Sequence, residues 1–354
     1  MKKIELLRSS MRDEGIDALL VYDELNQRYL SDFAFSDGFL LIKQTEAYLV
    51  TDFRYFEMAL KQADTSFTVL MPDDRRKFLN EKLAAGDVGT VGFEGNFVSY
   101  ALYHSLCEKN PSVRFVNVGN MIEKLREVKN EDELEKIAMA QEITDKAFSH
   151  LLSVINPNMT EIDVATELEY AMRKNGAEAF AFETIAVSGD ASALPHGKPR
   201  NVKLKAGFLT MDFGAKLDGY CSDMTRTVVI GTADAEMKKL YNTVLTAQKS
   251  ALDFIKEGAL CADADDVARK IIEKDYPGTF GHSLGHSVGL YIHEEPRLSA
   301  RAGQRALRVG EVLTVEPGIY IYGKYGCRIE DMVAVTEHGC TNFTHSTKEL
   351  IEIY

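Results

Sequence analysis

Five residues carry the chemistry this chain can do: Asp212, Asp223, His286, Glu316 and Glu330. His286 belongs to the glycine-rich run GHSLGHSVGLYIHEEP (281–296), which also holds His282 and His293. Acid-bearing segments flank it in sequence, TMDFGAKLDGYCSDMTRT (210–227) and TVEPGIYIYGKYGCRIEDM (314–332). Two aspartates, two glutamates and one imidazole form the donor set of a two-metal hydrolase. Hard carboxylate oxygens with a single imidazole favour manganese, cobalt, iron or zinc over copper or an iron–sulfur cluster. Ions roughly 3.5–4 Å apart can share carboxylates and a water, lower the pKa of that water and polarise a carbonyl. Asp212 and Glu330 are assigned as the bridging ligands. The plainer reading, that these acids only decorate turns, sits badly with Asp212 and Glu316 lying inside apolar strands, where an unpaired charge is costly.

Hydrolysis also needs a proton acceptor and donors for a developing oxyanion. Glu316 can accept the proton of the attacking water, and His196, His282 and His293 are the candidate donors. Arg328 lies two residues before Glu330, so on a strand it would share that ligand's face and either hold it or meet the substrate. A plain salt bridge is the alternative for Arg328. Cys221 shares a face with Asp223 in the same way, as a soft extra ligand or, more simply, as a small buried residue. Gly281, Gly285 and Gly289 are expected to permit close backbone approach beside the metals.

Two strand-rich segments must bring these groups together. In each, a Thr and an apolar residue precede an acid (Thr210-Met211-Asp212; Thr314-Val315-Glu316), a glycine follows two positions on, and a turn leads to a second acid. The acids are 11 residues apart in one segment and 14 in the other. Read as two related hairpins, each places its two acids side by side on one face.

Before these segments, residues 1–120 alternate short apolar runs with helical patterns. Strands are expected at 16–22, 39–43, 47–51, 67–71, 90–95 and 113–118, and helices near 2–14, 53–63, 75–84 and 99–109, an α/β arrangement. Asn130 with Glu133 predicts a capping box opening a long helix that Pro157 closes. Thr160 with Asp163 caps a second helix that ends at Gly176, and 234–257 and 263–275 read as two more. The change in pattern puts a domain boundary near residue 125, dividing the chain into 1–124 and 125–354.

Composition limits the setting. The 354 residues are 45% apolar and 27% charged, enough for a sizeable core in about two domains. An excess of 54 acidic over 41 basic residues argues against nucleic-acid or anionic-membrane partners. The start MKKIELLRSSMRDEG has a charged amphipathic helical pattern rather than the apolar core of a signal peptide. A cytoplasmic location follows as the expectation. Five cysteines, odd in number and without a C-x-x-C pair, read as reduced thiols.

The segments DASALPHGKPRNVKLKAGFLTMDFGAKLDGYCSDMTRTV, GHSLGHSVGLYIHEEP, LTVEPGIYI and GCRIEDMV closely resemble the signatures of pita-bread metallopeptidases of the prolidase and aminopeptidase P group. The family's ligand order Asp, Asp, His, Glu, Glu is intact at 212, 223, 286, 316 and 330. The likeness is strong over 125–354, while residues 1–120 resemble the creatinase-type N-terminal domain, with TDFRY (51–55) and YLSDFAFSDG (29–38) as weaker marks. The resemblance implies an α+β chain, a pita-bread catalytic domain preceded by a smaller α/β domain. It implies cleavage of the bond between an N-terminal residue and proline in short peptides, two divalent ions with manganese foremost, and a homodimer. Glu316 would then be the general base, His196 and His293 would contact the scissile carbonyl, and His282 would line the site. Phe208 departs from the acidic residue common before the first ligand strand. The absence of Trp leaves Phe, Tyr, His and aliphatic side chains to build any proline pocket.

Metal-free creatinase-like chemistry and a catalytically silent peptide- or protein-binding module are the alternatives on the same fold. Both are disfavoured by the complete ligand set. Methionine aminopeptidase has a similar ligand set but typically lacks counterparts of residues 1–120 and of the H-E-x-P segment at 293–296. Chain length and TDFRY lean toward a small aminopeptidase P rather than a dipeptidase.

Overall fold

The computed structural model describes residues 3–354 and divides the chain after Arg126 into two units. In the first, α1 (Lys3–Asp13), β1 (Ala18–Val21), α2 (Glu24–Ser31), β2 (Phe39–Lys43), β3 (Ala47–Val50), α3 (Phe53–Gln62), β4 (Thr68–Leu70), α4 (Arg75–Leu83), β5 (Thr90–Phe93), α5 (Tyr100–Lys109), β6 (Arg114–Asn117) and α6 (Met121–Arg126) follow one another. The strands form one mixed sheet in the order β4-β3-β2-β1-β5-β6. β1, β2 and β3 are buried throughout, and apart from Lys43 at the end of β2 they read as continuous apolar runs rather than alternating ones. The expected strands and helices are all present with trimmed ends; position 2 of the expected first helix lies outside the described residues. Two short helices went unanticipated, α2 and α6. The first is capped by Asp23, whose carboxylate accepts from Leu25 N and Asn26 N.

A polar knot lies inside this unit. Glu94, 2% exposed, accepts from Tyr22 N (2.6 Å), Asp23 N (2.9 Å) and Asn26 Nδ2 (2.8 Å). Asn26 Nδ2 also donates to Glu123, and Arg126 Nη1 donates to Asn26 Oδ1. Burial pushes the Glu94 carboxyl up to about 7.

The second unit runs from Glu127 to Tyr354. It begins with α7 (Glu131–Val154) and α8 (Glu161–Lys174), continues through β7 (Ala179–Phe180), β8 (Ile185–Ser188), β9 (Gly207–Phe213), β10 (Ala215–Leu217), β11 (Tyr220–Cys221) and β12 (Met224–Ile230), and then α9 (Ala235–Phe254) and α10 (Cys261–Asp275). β13 (Gly285–Ser287), β14 (Glu294–Leu298), β15 (Val312–Val315), β16 (Gly318–Ile321), β17 (Tyr325–Arg328), β18 (Asp331–Val335), β19 (Cys340–Asn342) and β20 (Glu352–Ile353) complete it. Asn130 and Glu133 make both bonds of the capping box that opens α7, and Thr160 with Asp163 does the same for α8.

Two sheets, β20-β12-β9-β8 and β14-β13-β15-β18-β19, carry the unit. Residues of α7 and α8 pack on Leu209, Met211, Phe213 and Val228 of the first. Residues of α9 and α10 pack with Leu313, Val315 and Val333 of the second in another apolar cluster. Phe208 is fully buried in that cluster, which accounts for an apolar residue at its position. This is the duplicated helix-pair-on-sheet plan expected of a pita-bread domain, and the α+β class holds for the chain.

The acid-bearing segments are not simple hairpins. In the first, β9 pairs with β12 and the short hairpin β10–β11 projects from their end. In the second, β15 pairs with β18 and the hairpin β16–β17 projects in the same manner. Asp212 faces Thr225 across the ladder, whereas Asp223, Glu316 and Glu330 occupy the links between outer and inner strand pairs. The expectation that each pair of acids sits side by side within one regular hairpin is corrected accordingly. Each link interrupts the ladder.

Candidate metal centre

An open cavity of about 1120 Å³ is lined by Asp212, Asp223, His286, Glu316 and Glu330, together with His196, His282, His293 and Arg328. The fold therefore brings the five proposed ligands, the three flanking histidines and Arg328 to one place. They are graded by depth: Asp223, His286, Glu330 and Arg328 are buried, His282 is half-buried, and His196 and His293 are exposed to the cavity. Donor atoms of Asp223, His286 and Glu330 all lie within 4.8 Å of one another. His286 Nε2 is 3.6 Å from Asp223 Oδ2 and 3.4 Å from Glu316 Oε1.

Local structure explains each placement. A Cβ on Gly285 would come within 1.9 Å of the Thr314 carbonyl oxygen, so only glycine lets β13 approach β15 closely enough to aim His286 at Glu316. His286 Nδ1 is 3.1 Å from the Ser287 carbonyl oxygen, which leaves Nε2 directed at the acids. Gly289 is also closely approached, by the Glu294 carboxylate. Gly281 has nothing within 4 Å of where a Cβ would stand, so the role expected for it is withdrawn.

Arg328 makes the salt bridge given above as its alternative, with Asp212 as the partner. Its Nη2 donates to Asp212 Oδ2 (2.8 Å), Nη1 to the Tyr320 hydroxyl (2.8 Å) and Nε to Thr225 Oγ1 (2.9 Å). Thr225 Oγ1 in turn donates to Glu330 Oε2 at 2.7 Å. Arg328 thus grips Asp212 directly and reaches Glu330 through a threonine. Tyr320, which the sequence did not single out, connects this network to His282, whose Nε2 is 3.0 Å from the phenol oxygen. Its position four residues after Glu316, in the inner hairpin, was the available signal. Cys221 faces elsewhere: its backbone N donates to Gly289 O (2.8 Å) and its thiol approaches Leu290 O. It holds the histidine loop and does not line the cavity.

The electrostatics of the cluster demand added positive charge. Burial, followed by repulsion from Glu330, raises Asp223 well above the usual carboxylate range, and burial with repulsion from Glu316 does the same to Glu330. Burial pushes Glu316 up to about 8 and His286 down to about 3. His282, also desolvated and facing Arg328, falls to about 4, and partial desolvation with the nearby Arg297 charge lowers His293 although its ring is open to the cavity. Asp223, Glu316 and Glu330 all have their carboxyls raised chiefly by burial. Asp212 Oδ1 is buried with no hydrogen-bond partner, an unsatisfied acceptor beside the other donors. A hard divalent cation pair matches both the missing charge and the orphaned oxygen.

Residues 135–337 match the model of metallopeptidase family M24, and residues 3–128 match the creatinase/prolidase N-terminal domain. The chain is similar to the structure of an Xaa-Pro dipeptidase from Bacillus anthracis (41% identity, TM-score 0.96, covering 100% of this chain and 99% of that one). It is also similar to an X-Pro aminopeptidase structure from Thermotoga maritima (38% identity, TM-score 0.91, 98% and 100% covered). Among curated relatives, an Xaa-Pro dipeptidase of Pyrococcus furiosus is 36% identical over 353 residues, 99% of each chain. With its helix-backed sheets, its buried acids and these likenesses, the chain belongs to metallopeptidase family M24.

Proposed function

We propose that this chain is a dimetal peptidase that cleaves the bond between an N-terminal residue and a following proline. The observation that carries the reading is the convergence of Asp212, Asp223, His286, Glu316 and Glu330 on one open cavity, with Asp223, His286 and Glu330 buried and Asp212 and Glu316 half-buried. These five residues would hold two divalent ions, with manganese expected and cobalt, zinc or iron matching the same donors. Bound there, the ions supply Lewis acidity toward the scissile carbonyl and a lowered pKa for a water molecule.

The chain's own groups do the rest. Glu316 Oε1 accepts from Thr314 Oγ1 at 3.2 Å, which leaves Oε2 to take the proton of the attacking water and return it to the departing prolyl nitrogen. His293 and His196, exposed at the cavity, donate to the carbonyl oxygen as negative charge builds there. His282, tied to Tyr320, lines the wall beneath them. Phe180, Phe182, Ile185 and Ile292 offer the apolar surface a pyrrolidine ring requires.

Arg297 inclines the reading toward dipeptides, against the leaning drawn from chain length and TDFRY. It pairs with His286 across β13 and β14 and lines the same cavity, where a free C-terminal carboxylate would meet its guanidinium. A silent binding module has no use for a full ligand set with its flanking histidines, and a metal-free hydrolase has none for four crowded carboxylates. Short proline-containing peptides in the cytoplasm as substrates, and a homodimer as the working form, complete the proposal. Among the described residues no helix is long and apolar enough to cross a membrane.

The test strips the purified protein of metal, reloads it with each candidate ion, and compares rates on Xaa-Pro dipeptides and Xaa-Pro-Yaa tripeptides. Metal-restored cleavage with dipeptides faster is the expected result. No restorable activity on either substrate rejects the peptidase reading, and faster tripeptide cleavage rejects the role given to Arg297.

A further inference from the structure

We infer that Lys129 and Glu294 form a buried clamp that sets the positions of His286 and His293, which makes both of them positioning residues for the reaction. The kinetic part of this inference rests on the peptidase reading above. The side chain of Lys129 is 2% exposed and that of Glu294 8%, with Nζ 3.2 Å from Oε2. Lys129 Nζ also donates to Ser287 Oγ (2.9 Å) and to the Glu127 carbonyl oxygen (3.3 Å).

Ser287 directly follows His286, and Glu294 directly follows His293. One ammonium therefore holds the neighbour of each imidazole. The two held residues are also cross-strand partners, at the point where the β13–β14 register shifts between His286 and Ser287. A shifted ladder does not enforce its own alignment, because the irregular step leaves pairing locally disrupted. The clamp supplies the missing constraint.

Glu294 completes it from inside the turn. Its Oε1 accepts from Tyr291 N at 3.1 Å, and its carboxylate packs where a side chain on Gly289 would otherwise lie. Lys129 is itself anchored, its backbone N donating to Gly310 O at 2.9 Å beside the Val128–Glu311 bridge. The outcome is a fixed relation between two rings whose centroids stand 4.5 Å apart, one deep among the acids and one exposed to the cavity.

A buried ion pair is a poor device for stability alone, since well-packed apolar residues of similar volume serve as well or better. What the pair adds is direction: bonds from a single atom to β13 and β14 and back to its own segment. A displacement of about 1 Å in a catalytic group can cost about a hundredfold in rate, so loss of the clamp should appear in turnover.

The experiment compares wild type with Lys129→Met, Glu294→Gln and the double variant, reading melting temperature, metal content, kcat and KM. The ring signals of [13C]histidine in the zinc-loaded, diamagnetic protein are recorded alongside. Each single variant is expected to keep its metal and its KM within about threefold while kcat falls about ten- to hundredfold. In the double variant the melting temperature recovers, because no unpaired charge stays buried, while kcat remains low. The His286 and His293 ring signals move in all three variants and those of His104 and His338 do not. If Lys129→Met fails to fold, the other two variants carry the same comparison. Recovery of kcat together with melting temperature, or unmoved His286 and His293 signals, overturns the inference. The ring signals are independent of turnover, so they test the clamp even if wild type cleaves no Xaa-Pro peptide, a result that would count against the peptidase reading alone.

Discussion

Arg328 Nη2 stands 2.8 Å from Asp212 Oδ2, while Oδ1 of the same carboxylate is buried without a partner. One oxygen is held by the protein and the other is left facing the remaining donors. This division orients Asp212: the guanidinium fixes the plane of the carboxylate and so aims its free oxygen.

Substitution of Arg328 should therefore act through Asp212 and Tyr320. Arg328→Met is expected to lower kcat about a hundredfold, in line with a misplaced ligand. Arg328→Lys should not rescue it, because one ammonium cannot reproduce the four bonds that a planar fork makes to Asp212, Tyr320, Thr225 and the Pro195 carbonyl. Turnover and metal stoichiometry of both variants provide the check. Near-normal turnover in the Lys variant would show that charge alone is required.

Asp223→Ala and His286→Ala should each lose bound metal and turnover together. Both side chains lie in the tightest donor group, and affinity at an open site depends on ligand count. Metal content by elemental analysis, measured with kcat on the same preparation, decides the matter. Full metal content in either variant contradicts the assignment.

Gly285→Ala and Gly281→Ala form a matched pair. A methyl group on Gly285 would collide with the Thr314 backbone, whereas one on Gly281 meets nothing within 4 Å. The first should displace β13 from β15, lowering the melting temperature and abolishing turnover; the second should do neither. Thermal melts and rates for the two proteins side by side test this directly.

Glu94 predicts a pH effect away from the cavity. Its carboxyl is raised from 4.5 to about 7 in the folded chain, chiefly by burial. Between those values the native state holds the proton more tightly than the unfolded state, so this group's contribution to stability falls as pH rises, by on the order of a few kcal/mol in all. Glu94→Gln keeps an oxygen for the Tyr22 and Asp23 backbone donors and removes the titration. The variant should gain stability over wild type as pH climbs from 5 to 8, read by denaturant unfolding at each pH. A constant difference across that range would contradict the reading.

Much of the architecture was readable from pattern. Fully apolar runs such as Ala18–Val21 and capped starts such as Asn130 with Glu133 are local signals, and the elements appear where those signals stand. Other elements have weak local signals. Helix α2 is eight residues long and polar, held by the Asp23 cap and by Gln27 Nε2 donating to the Val21 and Gly38 carbonyls. Strand β12 hides Arg226 at 1% exposure, a residue that argues against a buried strand until its partners are seen. These are Asp331 and the carbonyls of Thr225, Glu330, Ser346 and Thr347, four of them more than 100 residues away.

What the sequence determined by itself was the inventory: five hard donors, three flanking histidines and the order in which they come, because residue type sets chemical capacity. Only the tertiary structure decided their wiring. It gave Arg328 to Asp212 rather than directly to Glu330, brought Tyr320 against His282, removed Cys221 and Gly281 from the site, and tied Lys129 to the residues that follow His286 and His293. The reason is physical. A hydrogen bond is fixed by angles and distances of tenths of an ångström between segments far apart in sequence, and those relations exist only after the chain has packed.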